Sequence, residues 1–246
     1  MDTSEYAIRV FNGHAEKIGL TNRLCGKTML ELGPGDSIAT AIIAASHGAR
    51  AILVDAGAFV SADIAPYHEL VQVLIKQGLP TFDLSVCRTI DEILAHCGAR
   101  YMTEGLTSLA QIESESVDLI FSQAVLEHLS KREFGQTMQE CRRILRPNGI
   151  CSHQVDLRDH LGDALNNLRF SERVWESEFF AKSGFYTNRI RYNQMLQLFS
   201  DAGFAVEVTD VQHWSVLPTT RCKLALEFKD LSDVELCVAG FDVLLR

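Results

Sequence analysis

The sequence predicts an α/β fold: a mostly parallel sheet with helices on both faces. Two observations carry this. From residue 28 onward, short apolar runs alternate with stretches of helical character, the pattern that packs helices over parallel strands. The first apolar run also ends in a glycine-rich turn that opens a helix, and the next run ends in Asp55, which together make a compact βαβ unit.

Thr28-Met29-Leu30-Glu31-Leu32 reads as the first strand, ended by Gly33-Pro34-Gly35. Residues 37–47 read as an alanine-rich helix closed by Gly48, and Ala51-Ile52-Leu53-Val54-Asp55 as the second strand. Val117-Asp118-Leu119-Ile120-Phe121-Ser122 is a further buried strand, followed by a helix over residues 131–145. Pro147-Asn148-Gly149 reads as a turn, and residues 150–155 as the next strand. Residues 189–202 look helical and stop at Gly203; residues 204–208 and 239–245 could close the sheet as an antiparallel pair. Residues 57–100, with helices near 64–77 and 90–97, and residues 157–188 exceed what a minimal crossover needs. Connections of that length are often lids or substrate loops. They are read as such insertions in a single domain covering residues 1–246.

The bulk properties set limits. A chain of 246 residues, 47% of them hydrophobic, is an ordinary size for one α/β domain with a sizeable core. No stretch approaches the roughly 18 uninterrupted apolar residues of a membrane helix, and the N-terminus carries no long apolar run. The expected location is the cytoplasm. The seven cysteines are odd in number and form no CxxC pair, which favours buried thiols over a disulfide framework or a zinc knuckle. A formal charge of −9 argues against broad nucleic-acid binding. Arg142, Arg143 and Arg146 cluster, but at a helix end where cations suit the dipole.

The segment Glu31-Leu32-Gly33-Pro34-Gly35-Asp36-Ser37 is the most informative. Its glycines permit a sharp turn and close ligand approach, and the helix that follows presents free N–H groups. Asp55 can accept hydrogen bonds from both hydroxyls of a ribose. A dinucleotide site prefers a third glycine, and Ile38 stands there instead. Glu31 and Asp36 are poor neighbours for a pyrophosphate and good ones for a cation. S-adenosylmethionine (SAM), with a sulfonium, an ammonium and no phosphate, suits these charges better than NAD.

ELGPGD at residues 31–36, followed by VDAG at 54–57, resembles motifs I and II of class I SAM-dependent methyltransferases. Residues 116–129 are similar to the family's fourth-strand segment, and residues 143–150 to the helix, turn and fifth strand after it. Ala202-Gly203-Phe204 matches the usual approach to the sixth strand. The resemblance implies a Rossmann-like sheet of seven strands, mostly parallel, with the last strand antiparallel. It also implies site roles. Glu31, Gly33 and Gly35 would line the methionine moiety and ribose, and Asp55 would hold the ribose hydroxyls. Tyr101-Met102-Thr103 looks like the third strand, which would put Glu104 or Gly105, with Leu106, beside the adenine. Ser122 and Gln123 would face the methionine end.

For the chemistry, a hydroxyl acceptor needs a base near neutral pKa, most commonly histidine. His160, which follows the fifth strand, is the leading candidate, with His153 and His128 behind it and Asp156 as an acidic partner. A divalent metal held by Asp156, Asp159 and His160 is the alternative; a third is that these carboxylates cap a helix and pair with Arg158. Residues 166–189 are rich in amides, arginines and aromatics, so Asn166, Arg169, Tyr186 and Asn188 are read as substrate contacts. His14, His47, His68, His96 and His213 are read as surface or packing residues. The expected function is O-methylation of a small-molecule or sugar-containing (glycan) substrate. N- or C-methylation and a non-catalytic SAM-binding role are the alternatives.

Overall fold

A computed structural model describes residues 4–21 and 23–246. The chain forms two compact units. One holds the residues up to 123, residues 140–152 and Arg246; the other holds residues 124–139 and 153–245.

The first unit begins with α1 (Ser4–Lys17), β1 (Thr28–Leu32), α2 (Ala39–Ser46) and β2 (Arg50–Val54). It continues with α3 (Ala65–Lys76), α4 (Ile90–Cys97), β3 (Arg100–Met102), α5 (Leu106–Ala110) and β4 (Val117–Gln123). β1 lies between β2 and β4, and β3 pairs with β2, all parallel. α2 is apolar on nearly every side, and Ala39, Ala41, Ile42, Ile43 and Ala44 are all buried. That is the pattern of a helix enclosed by protein. Around it pack Ile8, Phe11 and Ala15 of α1, Tyr67, Leu70 and Leu74 of α3, and Ile93 and Leu94 of α4. The helices of the 57–100 insertion thus contribute to this core. Tyr67 adds a polar tie, its hydroxyl accepting the Ile38 N–H at 3.1 Å. The start of α4 is fixed by a capping box between Thr89 and Glu92, and its end by Gly98 at φ +60°.

α6 (Phe134–Ile144) and β5 (Leu145–Asp156) each have residues in both units. β5 starts earlier than expected and includes the Pro147-Asn148-Gly149 segment read as a free turn. At Gly149 the backbone is pressed so closely on the Leu145 side chain and the Asp118 carbonyl that a Cβ would sit 2.7 and 3.0 Å from them.

The second unit adds α7 (Glu172–Trp175), α8 (Glu178–Ala181), α9 (Tyr192–Asp201), β6 (Val206–His213), α10 (Leu226–Lys229), α11 (Asp233–Leu236) and β7 (Val238–Leu245). β6 and β7 are antiparallel, and the seven strands run in the order β3-β2-β1-β4-β5-β7-β6. The α/β fold class and the antiparallel C-terminal pair are as the sequence predicts. α9, however, begins at Tyr192 rather than near residue 189, because Arg189 takes φ +59°, which a helix does not accommodate.

Arg191, only 3% exposed, organises this end of the unit. Its guanidinium donates to the carbonyls of Leu157 at 3.0 Å and Val238 at 2.6 Å, and also reaches those of Glu235 and Leu236. Burial lowers its pKa to about 10. Arg191→Met leaves these buried carbonyls unsatisfied. It should cost about 2–4 kcal/mol, read as a lower urea midpoint at unchanged slope.

Candidate functional site

The ends of β1, β2 and β3 are tied together by backbone and by one carboxylate. The Gly33 N–H donates to Val54 O at 2.8 Å, the Asp55 N–H to Met102 O at 2.9 Å and the Gly105 N–H to Asp55 O at 2.8 Å. The Asp55 carboxylate accepts the Gly35 N–H at 3.0 Å and the Ala56 N–H at 2.7 Å. Gly33 and Gly35 both sit at φ +66°, where a side chain is strained. Gly105 is at φ +50°, and Leu106 opens α5. Glu104 is exposed, and its N–H donates to the Ser108 hydroxyl at 2.9 Å.

Above the glycine turn lies a cleft of about 260 Å³. Its walls include Tyr6 and Val10 of α1, Glu31, Gly33, Asp36 and Gln123, and no lysine, arginine or histidine is among its lining residues. A site with two carboxylates and no cation fits a positively charged ligand and not a pyrophosphate. Burial pushes the Glu31 carboxyl up to about 7; the Thr40 hydroxyl pulls it down and the Asp55 charge adds to the rise. Burial likewise raises Asp55, against its two N–H donors.

Gln123, at the end of β4, is held from α1. His14 is 2% exposed, with its ring 5.0 Å from that of Phe121. His14 Nδ1 lies 2.8 Å from Ser152 Oγ, and Nε2 lies 3.2 Å from Gln123 Oε1. An amide oxygen only accepts, so Nε2 carries the proton and Nδ1 accepts from the serine hydroxyl. Reading His14 as a mere packing residue missed this polar link. The available signal was the spacing of Ala7, Val10, Phe11, His14 and Ala15, one stripe of an amphipathic helix. Ser122 is fully buried.

The second unit carries the histidine candidates. Glu127 and His128 lie on a 3-10 helix, Leu126–His128. Asn188 clamps it: its N–H donates to Glu127 O at 2.7 Å, and Nδ2 to Leu126 O at 2.8 Å and Leu129 O at 3.1 Å. His128 Nδ1 lies 2.9 Å from the Tyr186 carbonyl, which can only accept. The ring is therefore protonated at Nδ1, leaving the Nε2 lone pair as acceptor. The His160 ring stands against it at 4.8 Å, edge to face. Burial lowers the His128 pKa and the adjacent His160 lowers it further, against the Tyr186 bond.

Several predicted roles meet different surroundings. Asp156 is gripped by Arg158 through Nε at 2.9 Å and Nη2 at 2.7 Å. Asp159 is fully buried and accepts the Leu161 N–H at 2.9 Å and the Asn166 N–H. These carboxylates hold a loop and an arginine, so Asp156, Asp159 and His160 do not converge as metal ligands. Among the described residues no group of three His, Cys, Asp or Glu side chains does. The Tyr186 hydroxyl donates to Glu176 at 3.1 Å and the Asn188 side chain is fully engaged, so both brace the 3-10 helix and its surroundings. Arg169 is exposed, and His153 is buried within β5. On the 3-10 helix itself, Glu127 is 2% exposed, lines a small pocket with Asn167, Arg189 and Arg191, and is pushed up to about 8 by burial.

A family model described as a methyltransferase domain matches residues 30–152. Similar solved structures include a SAM-dependent methyltransferase from Archaeoglobus fulgidus, 10% identical with a TM-score of 0.47, covering 97% of this chain and 92% of that one. The SAM-dependent methyltransferase of Mesorhizobium loti is 15% identical with a TM-score of 0.48, over 96% and 100% of the two chains. The 1,6-didemethyltoxoflavin-N1-methyltransferase of Burkholderia thailandensis is 15% identical with a TM-score of 0.49, over 98% and 77%. No curated protein matches significantly.

The raised Glu31 pKa gives a direct test. In the free protein the Glu31 carboxyl should titrate near 7 by carbon-detected NMR. A cation in the cleft favours the ionised form and should draw the midpoint down. Ligand affinity should then rise with pH up to about 7 and level off above it. Glu31→Gln should flatten that profile.

Proposed function

The chain belongs to the methyltransferase-domain family, as a SAM-dependent enzyme, and from that premise we propose that it methylates a hydroxyl oxygen of a small-molecule or sugar-containing substrate, with His128 as general base. The observation that carries the choice of base is the His128–Tyr186 contact. It fixes the tautomer, so that Nε2 offers a lone pair, and burial keeps the ring uncharged at neutral pH. His160 was the leading candidate on position alone. It is exposed and stands beside His128, which suits passing the proton on to solvent.

In this reading the glycine turn and Asp55 hold the nucleoside, and Glu31 and Gln123 hold the charged methionine end. Glu104, Gly105 and Leu106 border the adenine. When bound, SAM supplies an activated methyl group on a sulfonium. His128 would accept the proton of the acceptor hydroxyl at Nε2, so that the oxygen could take the methyl group the cofactor supplies. The remaining catalysis is alignment of the acceptor. His128 follows Gln123 by five residues in the chain. The 157–188 segment, with Asn166 and Arg169, is assigned to enclosing the acceptor, and the 57–100 insertion to the wall of the cofactor unit.

Asp55→Ala should weaken S-adenosylhomocysteine binding by about 1.5–3 kcal/mol by calorimetry, the value of hydrogen bonds to a charged group. Unchanged affinity would remove Asp55 from the ribose.

His128→Ala should lower turnover by about 10²–10⁴ while S-adenosylhomocysteine affinity stays constant. Wild-type turnover should fall as pH drops through a His128 pKa held below the usual imidazole value, and stay level above it. Normal turnover in His128→Ala, or a fall that survives in it unchanged, would reject the base assignment.

A further inference from the structure

The cofactor cleft lies at the C-terminal ends of β1 and β4. A second recess of about 430 Å³ opens in the same unit at the opposite ends of these strands, and Thr28, Arg50, Ile52, Arg100, Glu113 and Arg146 are among the residues lining it. The register explains why the cations share one side. Thr28 pairs with Arg50, and Ile52 pairs with Arg100. Residues two apart on a strand point to the same face, so Arg50, Ile52 and Arg100 project together, with Arg50 and Arg100 as diagonal neighbours.

The charges here are unbalanced. Asp118 already accepts Lys27 Nζ at 2.9 Å and Arg146 Nη1 at 2.9 Å. Among the described residues no carboxylate pairs with Arg50 or Arg100; the Arg100 guanidinium reaches only the Met102 sulfur, at 3.3 Å. Glu113 is the one acidic residue in the lining. In a chain with 32 acidic and 23 basic residues, carboxylate partners are plentiful. Two like charges side by side without them are unfavourable. Guanidinium forks match phosphate oxygens in pairs, and the recess falls within the range that holds small organic ligands.

We propose that this recess is a second ligand site, separate from the cofactor cleft, that binds the phosphate groups of a small phosphorylated molecule through Arg50 and Arg100, with Arg146 at its rim. Ile52 and Ile112 add apolar residues to the lining, which suits a ligand with an organic body beyond its phosphates.

The test is calorimetry on the full chain at low salt, with inorganic pyrophosphate and with ADP as probes. Both should bind saturably at one site. ADP should bind more tightly, and affinity should fall as salt is added. Saturating S-adenosylhomocysteine should leave both affinities unchanged. The double variant Arg50→Ser, Arg100→Ser should weaken both probes at least tenfold while binding S-adenosylhomocysteine like the wild type, which also reports that the unit is folded. Absence of saturable binding, binding undiminished in the double variant, or displacement of the probe by S-adenosylhomocysteine would each overturn the proposal. Single-stranded RNA bound through the same arginines while pyrophosphate and ADP fail would overturn it in favour of a nucleic-acid surface.

Discussion

The architecture of the cofactor unit depends on Asp55. Its backbone joins β2 to the far end of β3 and to the turn before α5, and its carboxylate holds the glycine turn that follows β1. Three strand ends are thereby brought to one level around a single carboxylate. A glycine turn at φ +66° has little intrinsic reason to persist; the carboxylate that receives the Gly35 N–H gives it one. In the proposed function the same carboxylate meets the ribose, so one side chain would both hold the turn and recognise the nucleoside.

Two other acids follow a related logic. Glu31 and Glu127 both sit where water is scarce and are raised to about 7 and about 8. Glu31 opens onto a cleft with no lysine, arginine or histidine among its described lining residues, so a positively charged ligand would suit it. Glu127 is buried and lines a small pocket with Arg189 and Arg191, and its neutral form suits an interior polar cluster. One carboxyl is poised for a ligand and the other for the fold, and the difference is access rather than chemistry.

Much of this was legible in the sequence because it is local. The glycine turn, Asp55 and the strand before each are contiguous segments whose residue types allow few conformations, and their order carried the fold class and the cofactor. What was not legible depended on long-range contacts. The Ser152–His14–Gln123 link joins residues more than a hundred positions apart, and His14 alone gives no sign of it. The roles of Tyr186 and Asn188 turned on the same limit. Their amide, carbonyl and hydroxyl groups suit a sugar, but they meet a 3-10 helix brought to them by the fold. Asp156 and Asp159 had the right spacing for several chemistries, and only the positions of Arg158 and the 161–166 backbone decided among them.

The link through His14 bears on which part of the chain shapes the cleft. α1 forms one wall of the cleft and steers the amide of Gln123, yet it lies wholly before residue 30, where the family match starts. The matched segment therefore supplies the floor of the cleft, while part of its wall comes from a helix outside that segment. Replacing that helix alone would alter the cleft wall while leaving the matched segment unchanged. A domain boundary drawn at residue 30 would cut away Tyr6, Val10 and His14 and remove the His14 contact to Gln123.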